Sequence, residues 1–146
     1  MLGLGLSVGG LAVTGRKGPP LPPNLVTNGD FSNGLTGWTN GGGHWTAVGG
    51  RAYHASSNIY RELSQPVAGT GSLRIEFDAE VLSGAGTALV YWINAAGVEQ
   101  AAVQIPAGTS RVSLTATTGM QTLAFCRNPG TTGEFYIDNV SVRQVP

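Results

Sequence analysis

"LRIEFDAEVL", residues 73–82, decides the fold. Leu73, Ile75, Phe77, Ala79 and Val81 fall on one side of an extended chain, and Arg74, Glu76, Asp78 and Glu80 fall on the other. Successive side chains of a strand point to opposite faces, so this pattern predicts a strand with one face on a core and one in water. Working outward, "RVSLTAT" (111–117) repeats the alternation with Val112, Leu114 and Ala116 inward. "TALVYWIN" (87–94) is apolar on both faces, as expected of a strand covered on both sides or carrying an exposed aromatic surface. "VEQAAVQI" (98–105), "TLAFCRN" (122–128) and "EFYIDNVSV" (134–142) read as three more strands, and "HWTAV", "RAYHA" and "IYRELS" as shorter ones. Turn signals such as NG, GGG, SGAG, AAG, PAG and NPG separate them at short intervals, and no segment holds a helical period. The chain therefore reads as an all-β sandwich of about eight to ten strands. In the last strand Phe135 and Ile137 share one parity while Val140 and Val142 have the other. The phase must slip at Asp138–Asn139, as at a β-bulge.

Composition bounds the function. The 146 residues carry eight basic and eight acidic side chains, for a net charge of zero, and charged residues make up only 11%. No basic excess points to nucleic acid. Cys126 is the only cysteine, which excludes an intrachain disulfide framework and a cysteine metal site. No apolar run reaches the roughly 18–20 residues that span a bilayer. Two units are expected: an apolar, Gly- and Pro-rich arm and neck at 1–23, and a sandwich at 24–146. The arm, "MLGLGLSVGGLAV", places its apolar residues before Arg16 and Lys17, the reverse of a secretory signal, so it reads as a retained segment. Extended, it carries Leu2, Leu4, Leu6 and Val8 on one side, with Leu11 and Val13 following. Such a stripe needs a partner surface, and strand addition to a neighbouring subunit suits it. "PPLPP" (19–23) would act as a short polyproline spacer.

"NLVTNGDFSNGLTGWT" (24–39) resembles the opening of carbohydrate-binding modules of the family 4 and family 9 type, and "FYIDNVSV" (135–142) is similar to their closing strand. "LSQPV" (63–67) stands where that family has L-x-Q-x-V. The resemblance covers residues 24–143 and implies a jelly-roll β-sandwich of two antiparallel sheets. Read physically, Asn28-Gly29 makes a tight turn, Phe31 anchors in the core and Trp38 plugs the end of the sandwich.

The resemblance implies glycan binding, which needs aromatic surfaces flanked by polar side chains. If Leu89, Tyr91 and Ile93 are core, Trp92 and Asn94 face outward, and Trp45, Tyr53, Tyr60 and Arg61 could join them on neighbouring strands. The alternative reading makes Trp92 a core residue or an intersubunit contact. The resemblance also implies a structural calcium ion at Asp138, with oxygens from around Asn28–Asp30, Asp30 included, and from the Gly49–Arg51 turn. Ser32 stands where the family often has Glu, and the alternative is Asp138 as a hydrogen-bonded latch. His44 and His54 read as surface or rim residues, and Cys126 as a packed thiol sharing a face with Thr122 and Ala124. No pairing of nucleophile and base or of carboxylates stands out, so a non-enzyme is expected.

Two functions fit. The first is a bacteriophage particle protein (capsid decoration, head fibre or tail accessory) on the particle exterior. It would be anchored through its arm to other virion proteins and to copies of itself, with a trimer as the simplest guess, and would display the sandwich toward host-surface polysaccharide. The second is a secreted, extracellular bacterial carbohydrate-binding module.

Overall fold

The computed structural model describes residues 15, 17–55, 61–84, 86–129 and 131–146. The strands are β1 (Thr39–Asn40), β2 (Trp45–Val48), β3 (Arg51–His54), β4 (Glu62–Gly69), β5 (Leu73–Ser83), β6 (Ala88–Ile93), β7 (Val103–Gln104), β8 (Gly108–Ala116), β9 (Met120–Arg127) and β10 (Glu134–Gln144). They form two five-stranded antiparallel sheets, in the orders β1-β4-β9-β6-β7 and β2-β3-β10-β5-β8. This is the expected all-β jelly-roll sandwich. The expected N-terminal arm, with Leu2, Leu4, Leu6, Val8, Leu11 and Val13, lies outside the described residues. Among the described residues no helix is long and apolar enough to cross a membrane.

Strand β5 follows the sequence pattern: Leu73, Ile75, Phe77, Ala79 and Val81 are buried, while its acids and Arg74 face out. "VEQAAVQI" yields only an isolated bridge at Glu99 and the two-residue β7. The parity slip is a bulge: the β10–β5 register breaks between Asp138 and Ser141, and Asn139 sits at φ 50, a left-handed conformation that Asn tolerates.

The opening segment is tied in by two amides. Asn28, also left-handed at φ 48, donates to the carbonyls of Gly34 and Thr36 (2.9 Å each) and accepts from the Asn33 N–H (3.1 Å). Its carbonyl receives Trp38 Nε1 at 3.1 Å, and Trp38 packs on Phe31 and Phe125 at the end of the core. Buried Gln65 accepts from Thr27 N–H (2.7 Å) and donates to the carbonyls of Thr27 and Gly37 (3.0 Å each). Gly29 touches β10 so closely that a Cβ there would lie 2.1 Å from the Val140 carbonyl oxygen. The residues that carry the family resemblance thus do structural work.

His54 corrects the expectation of a rim residue. It is fully buried, stacked on Phe135 (4.9 Å, 10°) and edge-on to Trp45 (5.2 Å), because β3 turns Ala52 and His54 to the core. Neither ring nitrogen has a hydrogen bond of good geometry among the described residues. The Gly133 backbone lies close enough to oppose the shift in part, but burial first and then the charge of Arg127 hold the imidazole below the ordinary histidine range. The unfolded chain then takes up a proton that the folded chain resists. This group's contribution is intact above about pH 6.5 and falls below it by as much as about 1.4 kcal/mol per pH unit. Urea titrations at stepped pH are expected to show that loss, and His54→Phe to flatten it. Equal slopes in both proteins would remove His54 as the cause.

Candidate functional site

The predicted aromatic site does not assemble. Trp92 and Val90 face the core, and Leu89, Tyr91 and Ile93 form the outer set, the reverse of the expected parity. The reason is register: Val90 pairs with Phe125 and Trp92 with Leu123, and residues opposite each other in a sheet share a face. Leu123 and Phe125 are core, so Trp92 follows them inward, at 9% exposure. Asn94 closes the next turn instead, its Oδ1 accepting from the N–H groups of Ala96 (3.0 Å) and Val98 (2.9 Å). Trp45 is 1% exposed in the core. Tyr60 lies outside the described residues, and Arg61 stands at the start of β4, on the other sheet from Tyr53. Cys126 is buried with Tyr91 and Ala124, on the face expected.

Of the described aromatic residues in that set, Tyr53 alone reaches an open face, and the structure gives it different company. The outer face of the β2-β3-β10-β5-β8 sheet brings Tyr53 against Tyr136 (ring centroids 4.7 Å apart). Arg51 lays its guanidinium 3.9 Å over the Tyr136 ring and donates to Glu80 at 2.6 Å. Tyr53 Oη donates to Glu134 Oε1 at 2.7 Å, and this bond, with burial and the carboxylate's charge, pushes the phenol up to about 12. One row along, Arg111 donates to Asp78 at 3.0 Å. A depression of about 260 Å³ lies among Arg51, Asp78, Glu80, Thr109, Tyr136 and Asp138. Alternation explains this assembly: each of these side chains has the strand parity opposite to its buried neighbours. The sequence signal was "FYIDNV" itself, in which buried Phe135 and Ile137 put Tyr136 and Asp138 outward.

Asp78 and Asp138 are direct cross-strand partners. Burial first, then the charge of Asp78, pushes the Asp138 carboxyl up. Such a pair could serve acid–base chemistry. Here, though, the Asn139 side-chain amide lies between them, donating to Asp78 Oδ2 (2.8 Å) and Asp138 Oδ2 (3.3 Å), where a substrate oxygen would have to sit. Asp138 Oδ1 accepts the Asn139 N–H at 2.7 Å. Asp30 is turned to Ser32, whose N–H and hydroxyl hold its carboxyl below the usual range. These partners fit a hydrogen-bonded latch better than a calcium cage. Among the described residues no three His, Cys, Asp or Glu side chains converge, and Arg111 already brings a cation to Asp78 and to the Asn139 carbonyl. Because the folded chain keeps a proton on Asp138 that the unfolded chain gives up, this group's contribution is full below the ordinary carboxylate range and is lost as pH rises through its raised value. Asp138→Asn is therefore expected to melt at pH 7 within about 0.5 kcal/mol of wild type or above it, and chelator to shift neither protein. A wild-type melting temperature that falls with chelator, and a variant that does not respond, would instead establish the calcium site.

No family model and no curated protein matches the chain in sequence. Solved structures do match its fold. A structure described as CBM4 shares 14% identity at TM-score 0.60, covering 81% of this chain and 98% of that one. The module TmCBM61, solved with β-1,4-galactotriose, gives 14% and 0.60 over 84% of this chain and 99% of that one. The enzymatically active domain of tailspike protein 4 of bacteriophage CBA120 gives 17% and 0.59 over 84% of this chain, which spans only 21% of that protein. The chain has a carbohydrate-binding-module-like fold.

Proposed function

We propose that this protein is a non-catalytic glycan-recognition module carried on the exterior of a bacteriophage particle, with the Tyr53–Tyr136 face as its binding surface. The observation that carries the glycan reading is that face: two half-buried tyrosines beside Arg51, Glu80, Glu134 and Asp138, on the outer side of a sheet of a carbohydrate-binding-module-like sandwich. Sugars offer flat C–H faces and ringed hydroxyls, which aromatic rings and fixed carboxylates and guanidinium groups complement. The tailspike neighbour and the apolar arm sequence support the particle location. A secreted bacterial module is the second reading, favoured by the near-complete coverage of the CBM4 and CBM61 chains.

An array of bacterial surface polysaccharides tests the site. The wild type is expected to bind at least one class, and Tyr53→Ala and Tyr136→Ala each to weaken that binding about tenfold, or about 1.4 kcal/mol, while still folding. Undiminished binding by both variants would move the site elsewhere.

A further inference from the structure

The four sheet edges are unequal. β1 and β7 have two residues each and β2 has four, but β8 runs nine residues from Gly108 to Ala116. β8 pairs with β5 on one side, and among the described residues no strand pairs with its other side. Free edges are normally blunted by shortness, proline, charged side chains, a bulge or a covering segment. Of these β8 carries one charge, Arg111, turned outward to Asp78; it contains no proline and its register with β5 is unbroken. Its core-facing Val112 and Leu114 are only half-buried, packed on the core from one side.

We propose that the β8 edge is an assembly interface that receives residues 2–8 of the arm of a second copy of this chain as an added strand. This inference is independent of the glycan reading. The occupant is argued from its pattern. In an extended "LGLGLSV" (2–8), Leu2, Leu4, Leu6 and Val8 share the side that would cover Val112 and Leu114, and Gly3, Gly5 and Ser7 share the other. It is argued too from where the arm departs. The neck is held at Pro22, whose carbonyl accepts from Arg143, but Lys17–Pro20 are exposed and a Cβ on Gly15 or Gly18 would meet nothing within 4 Å. At Gly15 and Gly18 the chain is clear of its own sandwich, whereas Pro19–Pro22 line a depression with Arg74, Glu76 and Arg143 on the outer side of β5 and β10. The β8 edge of a second copy offers the leucine side of the arm the half-buried Val112 and Leu114 to cover.

Sedimentation velocity and backbone hydrogen exchange on the full-length protein, over a concentration series, test this. Wild type is expected to sediment as more than one chain, with β8 amides slowing at least tenfold as concentration rises. Leu4→Asp/Leu6→Asp, altered only in the arm, is expected to sediment as one chain and lose that protection. Three results would overturn the proposal: a wild type monomeric throughout, β8 exchange identical in the two proteins, or β8 protection that depends on the arm in a monomer, which would place the strand in its own chain.

Discussion

Trp92→Ala is expected to bring the domain to or near unfolding, and not merely to remove a sugar-binding surface. Trp92 packs in the same core cluster as Phe77, Val90 and Leu123. Deleting a buried indole forfeits its transfer free energy and leaves a cavity that strands on both sides hold open, at a cost of about 3–5 kcal/mol. That is a large fraction of the roughly 5–15 kcal/mol that stabilises a domain of this kind. Thermal and urea denaturation followed by tryptophan fluorescence would show it. A variant that melts like the wild type would mean that Trp92 is a surface residue after all, and that the β6 register is wrong.

Gln65→Leu is expected to cost about 2–4 kcal/mol, although leucine matches the surrounding core in polarity. The amide of Gln65 holds the Thr27 N–H and the carbonyls of Thr27 and Gly37, joining the opening segment to β4. Leucine would leave these groups without partners, and each buried orphan costs about 1–3 kcal/mol, less where water can reach it. Thr27 and Gly37 are themselves exposed, which sets the lower end of the range. The loss should appear first as faster amide exchange over residues 25–38. If stability is unchanged and that segment stays protected, the clamp is not what fixes the opening turn.

The fold was legible because alternation is a local signal. In residues 73–80 buried apolar side chains alternate strictly with charged ones, and the bulge at Asp138–Asn139 announced itself as a break in parity. β6 was not legible in the same way. "TALVYWIN" is apolar on both faces, so its own residues cannot say which face is core; the answer lies in its pairing with Phe125 and Leu123, a long-range fact. Trp92 was placed on the wrong face for that reason. It drew attention by its size, whereas Tyr136, flanked by two residues destined for the core, was the better signal of an outward aromatic. His54 was missed because a single histidine in a four-residue strand carries no alternation of its own. The arm's Leu–Gly alternation is equally clear in sequence, but the surface we propose for it belongs to a second copy of the chain.

We propose the outer sheet face around Tyr53 and Tyr136 as the place where this sandwich meets a glycan. Titrating the isotopically labelled full-length protein with a polysaccharide fragment that it binds, and mapping amide shifts by NMR, tests this most directly. The account predicts that the shifts concentrate at Arg51, Tyr53, Glu80, Thr109, Tyr136 and Asp138. Shifts centred instead on the outer face of the other sheet, around Leu89, Tyr91 and Ile93, with Tyr53 and Tyr136 unmoved, would contradict it.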